Sequence, residues 1–524
     1  MSILVIDVGT SGVRGAVVRP DSTVEGVHHV PVLPDTPFPG LVEFDARALA
    51  DAAFGVARQA LAEAGPVDAV GIANQRASTI LWDRATGEPV GPGIGWQDLR
   101  TVGTCLELQA EGLRLAPNSS ATKLAALLDM ADPDRTRAAA GELAFGTVDT
   151  WLAWLLTGRE RHVTDTSNAG VTGLVVKDVT GWDERTLELL RIPVEVLPEL
   201  VDSSGIIGPA VALDGAPPLA GIAGDQQASL VGQGCTRPGM AKATFGTGGM
   251  LDQCTGATAP GHAGRGPAGT FPIAAWSRSG RTMWGVEAIM LSAGSCVEWL
   301  RDDLGIIESA EDSEAVARQC TSTDDVWFVP ALLGIGTPVW DYGARALFVG
   351  ITRGTGRPEM VRAVLEGVAH RGADLLEAAE SDTGLPVTAL RVDGGMSNND
   401  VFLRALADAC GRTIEVAPVT EATTLGAAYL AGMAVGTWSD EDEVAEAWAP
   451  RAIIEPEGTP VPLAGGTGAG GADDPRAQRA RLLTGRHHAA APRRRTTPPH
   501  HTPADHSSRR QQCSQCFQRF SQSH

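Results

Sequence analysis

The sequence predicts an α/β protein built from two large domains and a tail of different character. Three observations carry this expectation. Short apolar runs alternate with stretches of helical apolar spacing, the pattern of strands interleaved with helices. A strand, a glycine–threonine turn and a second strand occur twice, in residues 3–18 and again in residues 241–251. The composition then shifts abruptly beyond residue 455. At roughly 150 residues per domain, a chain of 524 residues also exceeds a single core.

Taken in order, Ile3-Leu4-Val5-Ile6 reads as a buried strand, Gly9-Thr10-Ser11-Gly12 as a tight turn, and Gly15-Ala16-Val17-Val18 as the returning strand. Residues 48–64 place Leu49, Ala53, Val56 and Leu61 at helical spacing, and residues 70–73 form the next strand. In the second block, Ala241-Lys242-Ala243-Thr244-Phe245 leads through Gly246-Thr247-Gly248-Gly249 into Met250-Leu251. The two blocks look like distant copies of one unit. Helices are expected over 290–304 and 358–380, the latter opened by Pro358, which suits a first helical turn. Residues 389–392 read as a strand ending at Asp393-Gly394-Gly395, with a helix over 399–409. Thr424 to Gly432 is a helix of small residues suited to close packing. The end of the chain is glycine-rich at 465–471 and then basic, with Arg493-Arg494-Arg495, Pro498-Pro499 and a Ser/Gln-rich close. Such a stretch buries too little apolar surface to order itself, so 455–524 is expected to be a disordered tail.

Composition excludes several functions. A formal net charge of −21 repels a nucleic-acid backbone or an anionic membrane, while leaving small anionic ligands open. No apolar stretch approaches the roughly 18 residues of a membrane span. The N-terminus, MSILVIDVGT, lacks a basic leader and is interrupted by Asp7, so it reads as a strand rather than a signal peptide. Cys105, Cys235, Cys254, Cys296, Cys320 and Cys410 are scattered singly, the usage of free thiols in a reducing compartment. A cytoplasmic protein is expected.

Four motifs could carry chemistry. In Asp7-Val8-Gly9-Thr10-Ser11-Gly12-Val13-Arg14, glycines let backbone N–H groups approach a phosphate while hydroxyls donate to its oxygens. Asp7, at the strand end, could hold Mg²⁺ through water. Alone, this is equally a hairpin turn. Gly246-Thr247-Gly248-Gly249 repeats the device, and two such turns can clamp one polyphosphate. Gly224-Asp225-Gln226-Gln227 offers a carboxylate that could take a proton from an attacking hydroxyl, could cap a helix, or could do both. In Asn74-Gln75-Arg76-Ala77-Ser78 with Trp96-Gln97-Asp98, Arg76 could bind vicinal hydroxyls and Trp96 the carbon side of a polyol. No GxxxxGK[ST] or HExxH is present. The GxGxxG at 466–471 follows no strand and is set aside.

Together these motifs resemble the FGGY carbohydrate kinases, and most closely the glycerol kinases among them. The resemblance spans residues 3–440 and rests on IDVGTSGVRG, NQRASTILWDRATGEPVGPGIGWQDLRT, DTWLAWLLTG, HVTDTSNAG, GIAGDQQASLVGQG, GMAKATFGTGG, ALFVGITRGT, LRVDGGMSNND and TLGAAYLAGMAVG. It implies an actin-like ATPase (ribonuclease H-like) fold, with domains at 1–224 and 225–450 closing over ATP and Mg²⁺. By the same resemblance Asp225 is the catalytic base. Thr10, Ser11 and Arg14 belong to the first phosphate segment, with Asp7 as the metal-associated carboxylate. Gly246 and Thr247 belong to the second, and Gly294, Gly395 and Asn399 border the nucleotide. Arg76, Trp96, Asp225 and Gln226 form the polyol site. A homodimer or tetramer is also implied.

The departures from glycerol kinases fall on the acceptor site. Ala77 stands where they have Glu, Asn118 where they have an aromatic, Met250 where they have Phe, and Ala126 where they have Trp. Losing a carboxylate acceptor should penalise glycerol, since sites that bond a hydroxyl discriminate strongly. The expectation is therefore a polyol or sugar kinase with an enlarged pocket, acting on a tetritol, pentitol or ketose. The alternatives are a true glycerol kinase with compensating changes, a non-catalytic sugar sensor, and an actin-fold ATPase.

Overall fold

The computed structural model describes residues 1–262, 264–418 and 421–457. Nearly all of the expected tail lies outside the described residues.

Thirteen strands form one sheet, and its order contains the same five-strand unit twice. In the first copy, Val24–Pro31, Gly12–Val18, Ile3–Val8, Ala69–Asn74 and Pro218–Gly224 lie side by side. The first three are antiparallel neighbours, and the last two run parallel to Ile3–Val8. In the second copy, Arg281–Met290, Gly249–Gly256, Ala241–Phe245, Ala389–Asp393 and Thr413–Val416 repeat that order with the same directions. The likeness between the two glycine–threonine blocks is thus the visible part of a duplicated fold. The inner strands read as unbroken apolar runs because helices cover both faces. Ala69–Asn74 is buried at every position.

In each copy a long helix leads into the fourth strand of that order. Ala46–Ala64 is opened by Asp45, whose carboxylate accepts from the N–H groups of Arg47 and Ala48. Arg357–Thr383 carries Pro358 in its first turn and stops at Gly384, in the left-handed region at φ 70°. The helix expected over 290–304 is shorter, Gly294–Asp302, because Met290 closes the strand Arg281–Met290. That strand pairs on both sides, with 249–256 and 271–278. Burial on both faces removes the alternation that would have marked it as a strand.

Each copy ends in a helix after its fifth strand: Asp225–Gly232 and Ala422–Val435. These two cross at contact of backbones. A Cβ on Gly232 would lie 1.9 Å from the Ala422 carbonyl oxygen, and one on Gly426 would lie 1.7 Å from that of Ala228. Helix Ala422–Val435 also lies against the first copy's sheet. A Cβ on Gly71 would meet the Ala427 carbonyl at 2.5 Å, and one on Gly221 the Ala431 nitrogen at 2.5 Å. The run of small residues in this helix exists for these approaches.

Candidate functional site

The site gathers at the ends of the central strands, where both glycine–threonine turns sit. In the first hairpin Asp7 and Arg14 are register partners, and the Gly9 N–H closes the turn on the Gly12 carbonyl at 2.9 Å. Ser11 is exposed at the tip. A ring of hydrogen bonds ties this turn to the segment 75–78. Gln75 Nε2 donates to the Gly9 carbonyl (3.1 Å) and Ser78 Oγ to Gln75 Oε1 (3.0 Å). The Trp96 N–H donates to Ser78 Oγ (3.1 Å), and Trp96 Nε1 to Thr10 Oγ1 (3.1 Å). Thr10, Arg76 and Trp96, far apart in sequence, are thereby held as one platform.

The second turn is closed by strands Ala241–Phe245 and Gly249–Gly256. The N–H of Gly294 donates to the Gly246 carbonyl (2.8 Å), and the N–H groups of Ala293 and Ser295 donate to that of Thr247 (2.9 and 3.1 Å). Gly294 must be glycine here, since a Cβ would lie 2.7 Å from the Gly246 oxygen. Gly394, at φ 88°, approaches Phe245 in the same way and sets Gly395 at the start of a short 3-10 turn beside it. Asn399 is engaged structurally. Its side chain caps helix Asp400–Cys410 by accepting from the Phe402 N–H (3.0 Å) and donates to Ser313 Oγ (3.0 Å).

Asp225 is the first residue of its helix, and Gly224 holds the capping position without a side chain. The capping alternative for Asp225 therefore falls away. Its Oδ1 accepts from the Gln226 N–H (2.8 Å) and lies 3.4 Å from Arg76 Nε. Arg76 reaches beyond it to Glu287, with Nη2 and Oε2 2.7 Å apart. Burial raises the Asp225 pKa, with Arg76 opposing, so it is a stronger base than an ordinary carboxylate. Burial works against the Arg76 charge, but Glu287 and Asp225 more than offset this and hold it protonated. Asp7 is pushed up to about 6, chiefly by burial, with Arg14 opposing and Asp225 adding. Among the described residues its one side-chain bond is a long 3.5 Å contact accepted from Thr424 Oγ1.

Of the residues that depart from glycerol kinases, Ala77 lies in the segment 75–78 and Asn118 is tied to Trp96 through Lys123. Ala77 is buried at φ 61°, and its carbonyl accepts from Ser120 Oγ (3.1 Å). Asn118 is fixed through its carbonyl, which accepts from Lys123 Nζ (3.0 Å). The same ammonium donates to the Trp96 carbonyl (3.1 Å). Burial depresses the Lys123 pKa to about 7. Met250 stands on strand Gly249–Gly256 opposite Thr244 and Ile289.

Sequence models of the FGGY family of carbohydrate kinases match this chain at residues 2–232 for the N-terminal domain and 241–435 for the C-terminal domain. The chain is an FGGY carbohydrate kinase. The glycerol kinase of Trichlorobacter lovleyi is 44% identical over 470 residues, covering 87% of this chain and 94% of that protein. The glycerol kinase of Deinococcus radiodurans is 42% identical over 471 residues, with 87% and 93% covered. Among solved structures, Plasmodium falciparum glycerol kinase with ADP superposes with a TM-score of 0.81 at 28% identity, covering 87% of this chain and 94% of that one. A xylulose kinase from Lactobacillus acidophilus shares the fold at a TM-score of 0.77 and 21% identity, with 92% and 96% covered. The kinase therefore has the two-domain actin-like architecture and is an ATP-dependent enzyme. Its relatives favour the glycerol alternative over the enlarged acceptor pocket. No helix among the described residues is long and apolar enough to cross a membrane.

The sequence reading missed Glu287, Thr424, Lys123 and the buried pair Lys242–Asp252. A signal existed for three of them. Lys242, Asp252 and Glu287 each stand alone inside an apolar strand (AKATF, GMLDQCTG and WGVEAIM), where a charge has to find a partner.

Proposed function

We propose that the kinase phosphorylates glycerol, with Asp225 as the base. One observation carries the catalytic assignment. Asp225, its pKa raised by burial, stands between Arg76 and the Gln226 N–H at the start of a helix, near enough to Asp7 of the first hairpin to act on its charge. Asp225 takes the hydroxyl proton as the acceptor oxygen forms its bond to the γ-phosphorus. The bond from that phosphorus to the β-bridging oxygen breaks, leaving ADP and a phosphate monoester. N–H groups and hydroxyls of turns 9–12 and 246–249 stabilise charge on the phosphates. Domains 1–224 and 225–450 close around the substrates and exclude water. Gly294 and Gly395 border the nucleotide. The enzyme acts in the cytoplasm.

Asp7 fits a role beside Mg²⁺. It is a buried carboxylate whose charged form is disfavoured by burial and by Asp225, and whose hydrogen bond from Thr424 is long at 3.5 Å. Among the described residues no three His, Cys, Asp or Glu side chains converge as a metal group. Asp7 would therefore contribute within a shell completed by phosphate oxygens and water. Bound there, Mg²⁺ supplies charge neutralisation on the phosphates.

Support for glycerol comes from the relatives named glycerol kinase at 42–44% identity along most of the chain. A second reading, a four- or five-carbon polyol, is favoured by Ala77, Asn118 and Met250. ADP release measured across glycerol, tetritols, pentitols and ketoses separates them. The glycerol reading requires the highest kcat/KM on glycerol. A preference of tenfold or more for a longer polyol would replace it, and acceptor-independent hydrolysis alone would remove both.

A further inference from the structure

A row of buried charges crosses the second copy's sheet beneath the helix that Asp225 begins. Lys242 and Asp252 are register partners on neighbouring strands, and Asp252 and Glu287 are partners on the next pair. Residues paired in register point to the same face. Lys242 and Asp252 are wholly excluded from water, with Nζ and Oδ2 2.8 Å apart. Lys242 Nζ reaches past Asp252 to Gln226 Oε1 at 2.6 Å, and to Thr244 Oγ1 at 3.1 Å.

The contact with Gln226 decides that amide's orientation. An ammonium has donors only, so the end of the amide that meets it is the oxygen. The Nε2 end then faces away, and it finds no acceptor among the described residues. Gln226 adjoins the base. We propose that Lys242, anchored by Asp252, is a positioning residue that locks Gln226 as a hydrogen-bond donor to the acceptor substrate. With Arg76 and Gln226 both donating, the acceptor's oxygens meet donors, and Asp225 is left as the group that takes the hydroxyl hydrogen. A glutamine free to flip would offer its oxygen half the time and compete for that proton. Lys242 stays charged for this duty. Burial disfavours its charge, but Asp252, Asp393 and Glu287 more than reverse the effect.

This inference rests on the kinase activity and not on glycerol being the acceptor, so the test uses whichever polyol the wild type turns over fastest. A wild type preferring another polyol would count against glycerol alone. The first variant is Lys242→Met with Asp252→Leu. Removing both charges together orphans neither member of the pair, Glu287 keeps Arg76 and Asp393 keeps its bonds from Ser229 and Gln233, and buried pairs so replaced often lose no stability. The expected result is an acceptor KM raised about five- to tenfold, the worth of one hydrogen bond, with the KM for ATP unchanged. Adding Gln226→Ala to this variant should then raise KM no further than Gln226→Ala does alone. An unchanged acceptor KM, or effects that multiply, would overturn the assignment. The second variant, Gln226→Glu, keeps an oxygen for Lys242 but cannot donate. It should raise the acceptor KM at least as far as Gln226→Ala. Wild-type affinity in Gln226→Glu would show that the acceptor needs no donor there.

Discussion

The crossing of the two terminal helices gives a perturbation whose size follows from the structure. Gly426→Ala places a methyl 1.7 Å from the Ala228 carbonyl oxygen, 2.5 Å from its carbon and 2.9 Å from the Gly232 nitrogen. Carbon and oxygen approach no closer than about 3.3 Å in ordinary contact, so the helices must part by roughly 1.5 Å. All three obstacles are backbone and none can swing aside. The strain therefore belongs at the upper end of the overpacking range, about 3 kcal/mol. Ala228 lies one turn from Asp225 on the same helix, so the displacement reaches the base. A reacting group misplaced by about 1 Å loses on the order of 10²-fold in rate. The expected outcome is a clearly lowered melting midpoint and a kcat reduced about 10²-fold, read by thermal unfolding and by ADP release. Gly55→Ala is the control, since a Cβ there meets nothing within 4 Å and the site lies within helix Ala46–Ala64. It should stabilise by up to about 1 kcal/mol. A Gly426→Ala enzyme with the wild-type midpoint and turnover would refute the claim that this crossing fixes the position of Asp225.

Other expectations concern charge. Asp225→Asn should lower kcat by about 10²–10⁴-fold with little change in melting, because Arg76 keeps Glu287 at 2.7 Å; a wild-type rate would remove Asp225 as the base. Asp7 holds its proton up to about pH 6 in the fold and to about pH 4 unfolded. Between those values the folded state binds more protons, so stability contributed by this group falls as pH rises across the window. Asp7→Asn should abolish that part of the slope in ligand-free melts, while wild-type kcat/KM for ATP should climb through about pH 6 as the carboxylate ionises. Lys123 titrates near 7 in the fold and near 10.4 unfolded. Here the unfolded state binds more protons, so its contribution to stability rises from pH 7 toward 10. Melting of Lys123→Met against wild type over that range should show the rise missing from the variant.

Much of this fold was legible because its signals are local. A glycine–threonine turn between two apolar runs marks a hairpin wherever it occurs, and both copies of 9–12 and 246–249 were found in this way. Pro358 marked a helix start for the same reason. Pairing across distance was not legible. Nothing near Ile3–Val8 says that Ala69–Asn74 and Pro218–Gly224 lie beside it, and nothing near Met290 says that its strand pairs on both edges. The site divides along the same line. Asp225, Arg76 and Trp96 lie in readable segments, whereas Glu287, on a strand of the second copy, meets Arg76 of the first only in the folded chain. Ala77 and Met250 were read as departures that enlarge the acceptor pocket, but their bearing on the acceptor depends on how the whole pocket is compensated, and a residue-by-residue comparison does not measure that.

The placement of helix Ala422–Val435 has a consequence for how the chain is made. Ile3, Val5, Ala69, Ala73, Ala220 and Ala223 form one apolar cluster with Leu425, Ala427, Ala428, Leu430 and Ala431. When residue 224 leaves the ribosome, every strand of the first copy has been synthesised, yet its cover is still some two hundred residues away. At roughly 5–20 residues per second the nascent sheet waits about 10–40 s with that face open. The first copy cannot finish folding during its own translation, and a chain interrupted before residue 435 leaves an uncovered sheet for chaperones or proteases to find.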